Sequence, residues 1–161
     1  MKKKYILCLL LIIVCCTLVG CGSKTENDAE KGEEFYVVES YLDGIVKSDS
    51  RKYCGSLAKE VLNYLYADMD ECIVSIGNMF DEIDAEYEGY DINEKKQLNN
   101  QDLEDLKRGL EEYYKVPSEK IEKAYRYSVD INATDYSHDE KLYIYVAIID
   151  DQWWVVKKES R

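Results

Sequence analysis

The chain has a single histidine and lacks the short motifs that mark common enzyme classes. His138 lies in the polar segment of residues 135–140, among exposed acids. A catalytic base or a metal ligand needs partners held by rigid structure, so we interpret His138 as a solvated loop residue. The sequence contains no G-x-S-x-G, H-E-x-x-H, P-loop or glycine-rich dinucleotide turn. It therefore nominates no catalytic residue and no cofactor.

Positive charge is also scarce, since 21 Lys and Arg stand against 33 Asp and Glu, for a net charge of −12. Nucleic acid and anionic membrane surfaces both favour basic patches, so we expect no nucleic-acid partner. Acidic residues cluster at 68–71 and 81–88, but neither run has a glycine at the sixth position of an EF-hand loop. We interpret these runs as charged outer faces of helices and predict no metal site.

A long apolar run occurs at the N-terminus. Three lysines at positions 2–4 precede apolar residues 5–19, and a small glycine then precedes Cys21, which is the layout of a secretory signal peptide. As a helix, the apolar run would rise only about 22 Å, short of the roughly 30 Å hydrocarbon core of a bilayer. The sequence therefore predicts a signal peptide over residues 1–20 rather than a membrane-spanning anchor.

Residues 18–21, LVGC, resemble the bacterial lipobox. The resemblance implies that diacylglycerol is attached to the thiol of Cys21 and that cleavage leaves Cys21 as the mature N-terminus. Lipid chains contribute about 0.8 kcal/mol per buried methylene, so two or three chains anchor a protein stably. We therefore expect a protein that is lipid-anchored on the extracytoplasmic face of the cell membrane. Its net charge changes from −12 to −15, because the removed segment holds three lysines and no acids.

The mature chain divides into a tether and one domain. After Cys21, the sequence GSKTENDAEKGEE has no large apolar residue and cannot bury enough surface to order itself. We therefore assign residues 21–34 to the lipidated cysteine and a flexible acidic tether. Residues 35–161 are enough for a single domain with a substantial core.

Two cysteines remain in that domain, Cys54 and Cys72, because the others lie in the apolar run or at the lipidation position. Outside the cytoplasm they can form a disulfide that contributes on the order of 3 kcal/mol. The alternative is two free cysteines, with Cys72 a small core residue on the apolar stripe of its helix. The Cα separation decides between them, so sequence leaves both open.

The first part of the domain has apolar residues at helical spacing. This spacing predicts three helices, over residues 35–47, 57–65 and about 69–87. The polar residues 48–50 separate the first two helices. The boundary between the second and the third lies near residue 67.

A fourth predicted helix has clear signals at both ends. Asn99 is suited to cap its N-terminus, Leu98 is placed to pack on Leu103 as a hydrophobic staple, and Pro117 marks its end. Together with the preceding pattern, this predicts that residues 57–114 are wholly helical.

Beyond Pro117 the period changes to two. Residues 125–133 alternate apolar and polar side chains, which predicts a strand with one buried face. Residues 142–149 are apolar throughout and predict a central strand that is covered on both faces. Residues 150–152 form a candidate tight turn, and residues 153–158 read as an edge strand whose lysines blunt the exposed end.

This order predicts an α+β domain, in which N-terminal helices pack on one face of a C-terminal antiparallel sheet of at least three strands. Residues 37–53, residues 125–150 and the closing DDQWWVV at 150–156 resemble small bacterial lipoproteins with a nuclear transport factor 2-like (cystatin-like α+β) domain. The resemblance implies a curved sheet around a long first helix, enclosing a pocket. Residues 57–114 depart from that family, which usually has an early strand or hairpin there.

Trp153 and Trp154 are the residues in the sequence that indicate a binding face. Neighbouring residues on a strand point to opposite faces, so the two rings cannot fill the same core. An exposed tryptophan on an edge strand marks a contact surface. We therefore expect Trp153 and Trp154 to contribute to binding.

Two functions remain at this stage. The first is a surface lipoprotein whose domain binds an extracytoplasmic protein, peptide or glycan without catalysis. The alternative is a cavity enzyme of the isomerase or dehydratase type, which would use a buried carboxylate with a raised pKa and a tyrosine. A filled core beside an exposed aromatic patch favours the first function. An enclosed pocket with a desolvated carboxylate favours the second.

Overall fold

We analysed a computed structural model, which describes residues 31–83, 85–135 and 140–160. The predicted signal peptide, residues 21–30 of the predicted tether, which include Cys21, and His138 lie outside the described residues. Glu33 and Glu34, which the sequence assigned to the tether, are the first two residues of the first helix. Gly32–Arg161 form one compact unit. Within the described ranges, no helix combines the length and the apolar character needed to cross a membrane.

The described residues form five α-helices and a four-stranded sheet. The elements are α1 (Glu33–Val46), α2 (Ser50–Gly55), α3 (Lys59–Leu65), α4 (Met69–Glu82), β1 (Tyr87–Gln97), α5 (Asn100–Tyr114), a 3₁₀ turn (Ser118–Lys120), β2 (Ile121–Ala133), β3 (Glu140–Ile149) and β4 (Gln152–Ser160). The strands pair antiparallel in the order β1-β2-β3-β4. The predicted α+β class is confirmed, with β3 inside the sheet and β4 at its edge.

The prediction that residues 57–114 are wholly helical is wrong, because β1 occupies residues 87–97 and pairs along β2. Two register shifts interrupt this strand, between Tyr87 and Gly89 and between Ile92 and Glu94. Each shift changes which side chains face the core, so no continuous alternation marks the strand in the sequence. Pairing with β2 outweighs the weak local signal.

Side-chain caps set several helix starts. The Asn99 side chain accepts from the Asp102 N–H at 2.9 Å, which confirms the predicted cap of α5. Asp49 accepts from the N–H groups of Arg51 and Lys52, both at 3.1 Å. The polar segment that was expected only to end the first helix therefore also starts α2.

Helices cover both faces of the sheet, which corrects the expectation of one covered face. On one face, residues of α1 and alternate strand residues form a core that includes Val38, Leu42, Tyr127, Ile144 and Val155. On the other face, α3 and α5 pack on strand residues of the opposite parity, including Val61, Leu110, Ala124, Ala147 and Val156. The uniformly apolar sequence of residues 142–149 in β3 follows from this arrangement, because side chains pack on both faces of this strand.

A disulfide between Cys54 and Cys72 joins α2 to α4, with a Cα–Cα separation of 6.3 Å. Both cysteines are fully buried, and they pack with Leu62, Ile76 and Phe80. This cross-link fixes the end of α2. The next residues, Gly55 and Ser56, run toward the free edge of β4.

Candidate functional site

The turn between β3 and β4 determines how Trp153 is presented. Asp150 and Asp151 form a two-residue loop and both have positive φ, 50° and 62°, as a type I′ hairpin turn requires. Ile149 and Gln152 are the pair that flanks this loop. Trp153 is therefore the second residue of β4, directly beside the turn.

Hydrogen bonding along β4 leaves the backbone of Trp153 facing outward. The Val155 N–H donates to the Ser56 carbonyl at 2.8 Å, and the Val155 carbonyl accepts from the Ala58 N–H at 3.1 Å. Both groups of Val155 thus point away from β3. Because directions alternate along an antiparallel strand, the N–H of Trp154 points toward Ala147 and that of Trp153 points away from the sheet. Among described residues, no hydrogen bond between elements reaches the Trp153 backbone.

The two tryptophan rings lie on opposite faces of the sheet. Trp153 is on the α1 side and stacks on Tyr125, with ring centroids 5.5 Å apart and planes inclined by 36°. Trp154 packs into the cluster on the α5 side. Both rings are half-buried, so neither is a fully enclosed core residue.

A groove of about 330 Å³ opens beside these rings. Because Trp153 and Trp154 point to opposite faces and yet both line it, the groove lies at the edge of the sheet. Its other wall comes from α1, where Tyr36 is 60% exposed, and from the end of α2 together with the residue that follows it. The lining residues are Tyr36, Val37, Ser40, Gly55, Ser56, Gln152, Trp153 and Trp154.

The chemistry of this groove suits an extended backbone. It offers one outward N–H, one outward carbonyl and two aromatic surfaces. These are the groups that an added strand contacts at a sheet edge. The protein already uses this edge for its own chain, since Leu57 forms a parallel bridge with Val155. The bridge covers β4 at Val155, and the edge at Trp153 stays open.

A second polar feature is a buried carboxylate on the α1 face. Glu34 is 6% exposed and is the one buried acid among the described residues. The Lys95 ammonium forms an ion pair with it. The Tyr127 hydroxyl is buried without a hydrogen-bond partner in the described structure, and burial, with the nearby Glu34 charge, raises the pKa of Tyr127 well above its usual range.

This arrangement lacks the features of a catalytic pair. Lys95 already pairs with the Glu34 carboxylate, and neither Glu34 nor Tyr127 lines the groove at β4. Two further openings lie along α5, and neither residue lines those. A general acid or base must reach its substrate directly or through one water.

The other residues that the sequence singled out are three cysteines and one histidine. Cys21 and His138 fall outside the described residues, and Cys54 and Cys72 form the disulfide described above. Within residues 31–83, 85–135 and 140–160, no group of three or more His, Cys, Asp or Glu side chains is arranged to hold a metal ion. The sequence interpretation missed that the backbone N–H and carbonyl of Trp153 point outward. The two-residue turn at Asp150 and Asp151 does indicate this, because it determines which residues of β4 hydrogen-bond to β3.

No protein-family model matches the chain, and no curated protein or solved structure matches it.

Proposed function

We propose that this protein is a lipid-anchored binding module on the extracytoplasmic face of the bacterial cell membrane. It binds an extended segment of another protein along the open edge of β4 and catalyses no reaction. The observation that carries this proposal is the outward N–H and carbonyl of Trp153 in a groove that both tryptophan side chains line. A bound strand would pair with both groups and rest on both rings.

Two kinds of contact supply the affinity. Each new backbone hydrogen bond contributes about 0.5–1.5 kcal/mol net. The half-buried rings of Trp153 and Trp154 add apolar area at about 25 cal/mol per Å² removed from water. Because the groove is short, the interaction belongs with weak, reversible complexes. A membrane anchor would hold such a module where exported proteins pass.

The proposed extracytoplasmic location is supported by two independent features. The LVGC sequence resembles a lipobox, which implies lipidation of Cys21. The buried disulfide between Cys54 and Cys72 is a bond that persists in oxidising compartments and is rare in the cytosol. Both features favour a position outside the cytoplasmic membrane.

The alternative, an isomerase-type or dehydratase-type cavity enzyme, has less support. It requires a buried carboxylate that is free to exchange a proton with a substrate in an enclosed pocket. The buried carboxylate of the described residues, Glu34, is paired with Lys95. The grooves near Trp153 and α5 are open to solvent and are not lined by it.

Peptide selection tests the binding proposal. Random twelve-residue peptides are displayed on phage and selected on the full-length protein in detergent micelles, and Kd values of the selected peptides are measured by fluorescence anisotropy. We expect Trp153→Ala to weaken binding by about tenfold or more, which corresponds to about 1.4 kcal/mol. Tyr64→Ala is the control, because Tyr64 is an exposed aromatic residue outside the groove.

N-methylated peptides separate strand pairing from contacts made only by side chains. Each N-methylated peptide lacks one backbone N–H. The peptide that is methylated at the residue whose N–H donates to the Trp153 carbonyl should lose most of its affinity. Trp153→Phe, which keeps an aromatic ring, checks that loss of binding does not come from unfolding. Binding that is insensitive to both Trp153→Ala and N-methylation would contradict strand pairing at this edge.

Fractionation tests the anchor. Cys21→Ala removes the thiol that would carry the lipid, so the variant should leave the membrane fraction and no longer incorporate labelled palmitate. Retention in the membrane together with unchanged labelling would contradict lipidation at Cys21.

A further inference from the structure

A second groove lies on the opposite face of the sheet, beneath α5. Its volume is about 230 Å³, and it adjoins a recess of about 140 Å³, with Asp105, Leu106 and Lys157 lining both. The groove is also lined by Leu98, Asp102, Arg126 and Tyr145. Charged side chains of both signs thus meet beside apolar surface.

Arg126 is the second cation in the lining of this groove, beside Lys157. Its guanidinium carbon lies 4.4 Å from the centroid of the Tyr143 ring, and the side chain is half-buried. No ion pair among the described residues includes Arg126. Arg126 also contacts the Tyr145 hydroxyl and interacts with the charge of Glu159. A guanidinium has five N–H donors, so N–H groups remain for a planar acceptor, and a carboxylate fits them with two parallel hydrogen bonds.

The neighbouring charges are already matched. Lys157 pairs with Glu159 at 2.5 Å, and the Tyr145 hydroxyl donates to Glu159 at 2.8 Å. The hydrogen bond from Lys157, and then that from Tyr145, lowers the pKa of Glu159. Burial and this bond to Glu159 raise the pKa of Tyr145 to about 12. The floor of the groove therefore keeps the same charges across neutral pH.

The helix wall of the groove carries the opposite charge. Asp102 and Asp105 of α5 face it, and their known partners are the Asn99 amide at 2.8 Å and the exposed Arg108 at 2.5 Å. The adjoining recess is largely apolar or aromatic, with Leu106, Leu110, Tyr113 and Tyr114 in its lining. The groove thus offers a cation on the sheet, carboxylates on the helix and an apolar recess next to both.

We infer that this groove binds a free α-amino acid with an apolar or aromatic side chain. The ligand carboxylate pairs with Arg126, its ammonium faces Asp102 and Asp105, and its side chain enters the recess beside Leu110. The combined volume suits a small molecule of this size. This site is separate from the peptide groove at β4 and does not depend on it.

Titration calorimetry on the full-length protein in detergent micelles tests this inference. L-Phenylalanine and L-leucine are the probes, with three analogues that each lack one feature: phenethylamine, 3-phenylpropionate and glycine. We expect both amino acids to bind and each analogue to bind at least about tenfold more weakly, because each loses one of the three contacts.

Variants assign the binding to Arg126. Arg126→Met should weaken L-phenylalanine binding by about tenfold or more, and Arg126→Lys should fall in between, because it keeps the charge and loses the planar fork. Arg51→Met, an exposed arginine on α2, is the matched control and should bind as the wild type does.

Three results would overturn the inference. They are the absence of binding by either amino acid at about 10 mM, analogues that bind as tightly as L-phenylalanine, and a folded Arg126→Met protein with unchanged affinity. Should Arg126→Met fail to fold, Arg126→Lys and the analogue series give the same decision.

Discussion

Loss of the disulfide between Cys54 and Cys72 should destabilise the domain strongly. The bond is buried and holds α2 against α4. Reduction converts the bond to two thiols and removes no carbon or sulfur atom, so it measures mainly the contribution of the cross-link. The double variant Cys54→Ala/Cys72→Ala removes the buried sulfur atoms as well, and should cost somewhat more.

The expected magnitude follows from the loop that the bond closes. The two cysteines are separated by 18 positions, and the chain-entropy relation gives about 3 kcal/mol for a loop of this length at 25 °C. Domains of this kind are typically stable by only about 5–15 kcal/mol. For a domain of this size, such a loss lowers Tm by about 9–15 °C.

Urea unfolding of the full-length protein, followed by tryptophan fluorescence with and without reductant, measures this loss. The wild type should lose about 3 kcal/mol on reduction, whereas the double alanine variant should not respond to reductant. The same reduction should weaken peptide binding at β4, because Gly55 and Ser56 follow Cys54 directly and line the groove. A wild type whose stability changes by less than about 1 kcal/mol on reduction would refute the cross-link argument.

Two further predictions concern the packing and the charge of α1. A Cβ at Gly44 would lie 2.6 Å from the Tyr53 backbone nitrogen, so Gly44→Ala should lower the free energy of unfolding in urea by about 1–3 kcal/mol. Gly109→Ala is the control and should be neutral or mildly stabilising, because a Cβ there meets open space. Equal stability of the two variants would contradict the close approach at Gly44. Hydrogen bonds from Lys52, and then from a second lysine, lower the pKa of Asp43, so its stabilisation is present above the ordinary carboxyl pKa and is lost as pH falls below about 4. Asp43→Asn should therefore lose less stability than the wild type between neutral and acidic pH in urea unfolding, and an identical pH dependence would refute this assignment.

The sequence predicts the parts of the fold whose burial is regular. α1 and α5 carry continuous apolar stripes, and residues 142–149 of β3 are apolar throughout because cores form on both faces of this strand. The sequence does not predict β1, because this edge strand is mostly exposed and two register shifts interrupt its alternation of apolar and polar residues. Its identity as a strand comes from pairing with β2, which is a tertiary interaction.

The candidate site is predictable only in part, for a related reason. Adjacency of Trp153 and Trp154 on a strand already implies that their rings point to opposite faces. The far wall of the groove includes Tyr36 on α1, Gly55 at the end of α2 and Ser56 directly after it. These residues are distant in sequence, and they meet at the edge of β4 through packing of α1 and through the hydrogen bonds between Ser56 and Val155 and between Ala58 and Val155.

Amide hydrogen exchange at Trp153 and Trp154, measured by NMR on the full-length protein, tests the central claim most directly. In the free protein, the Trp154 amide, which points toward Ala147, should be protected, and the outward Trp153 amide should exchange fast. Saturation with a selected peptide should slow exchange at Trp153 and leave Trp154 unchanged. A Trp153 amide that is already protected in the free protein, or that still exchanges fast in the saturated complex, would contradict strand addition at this edge.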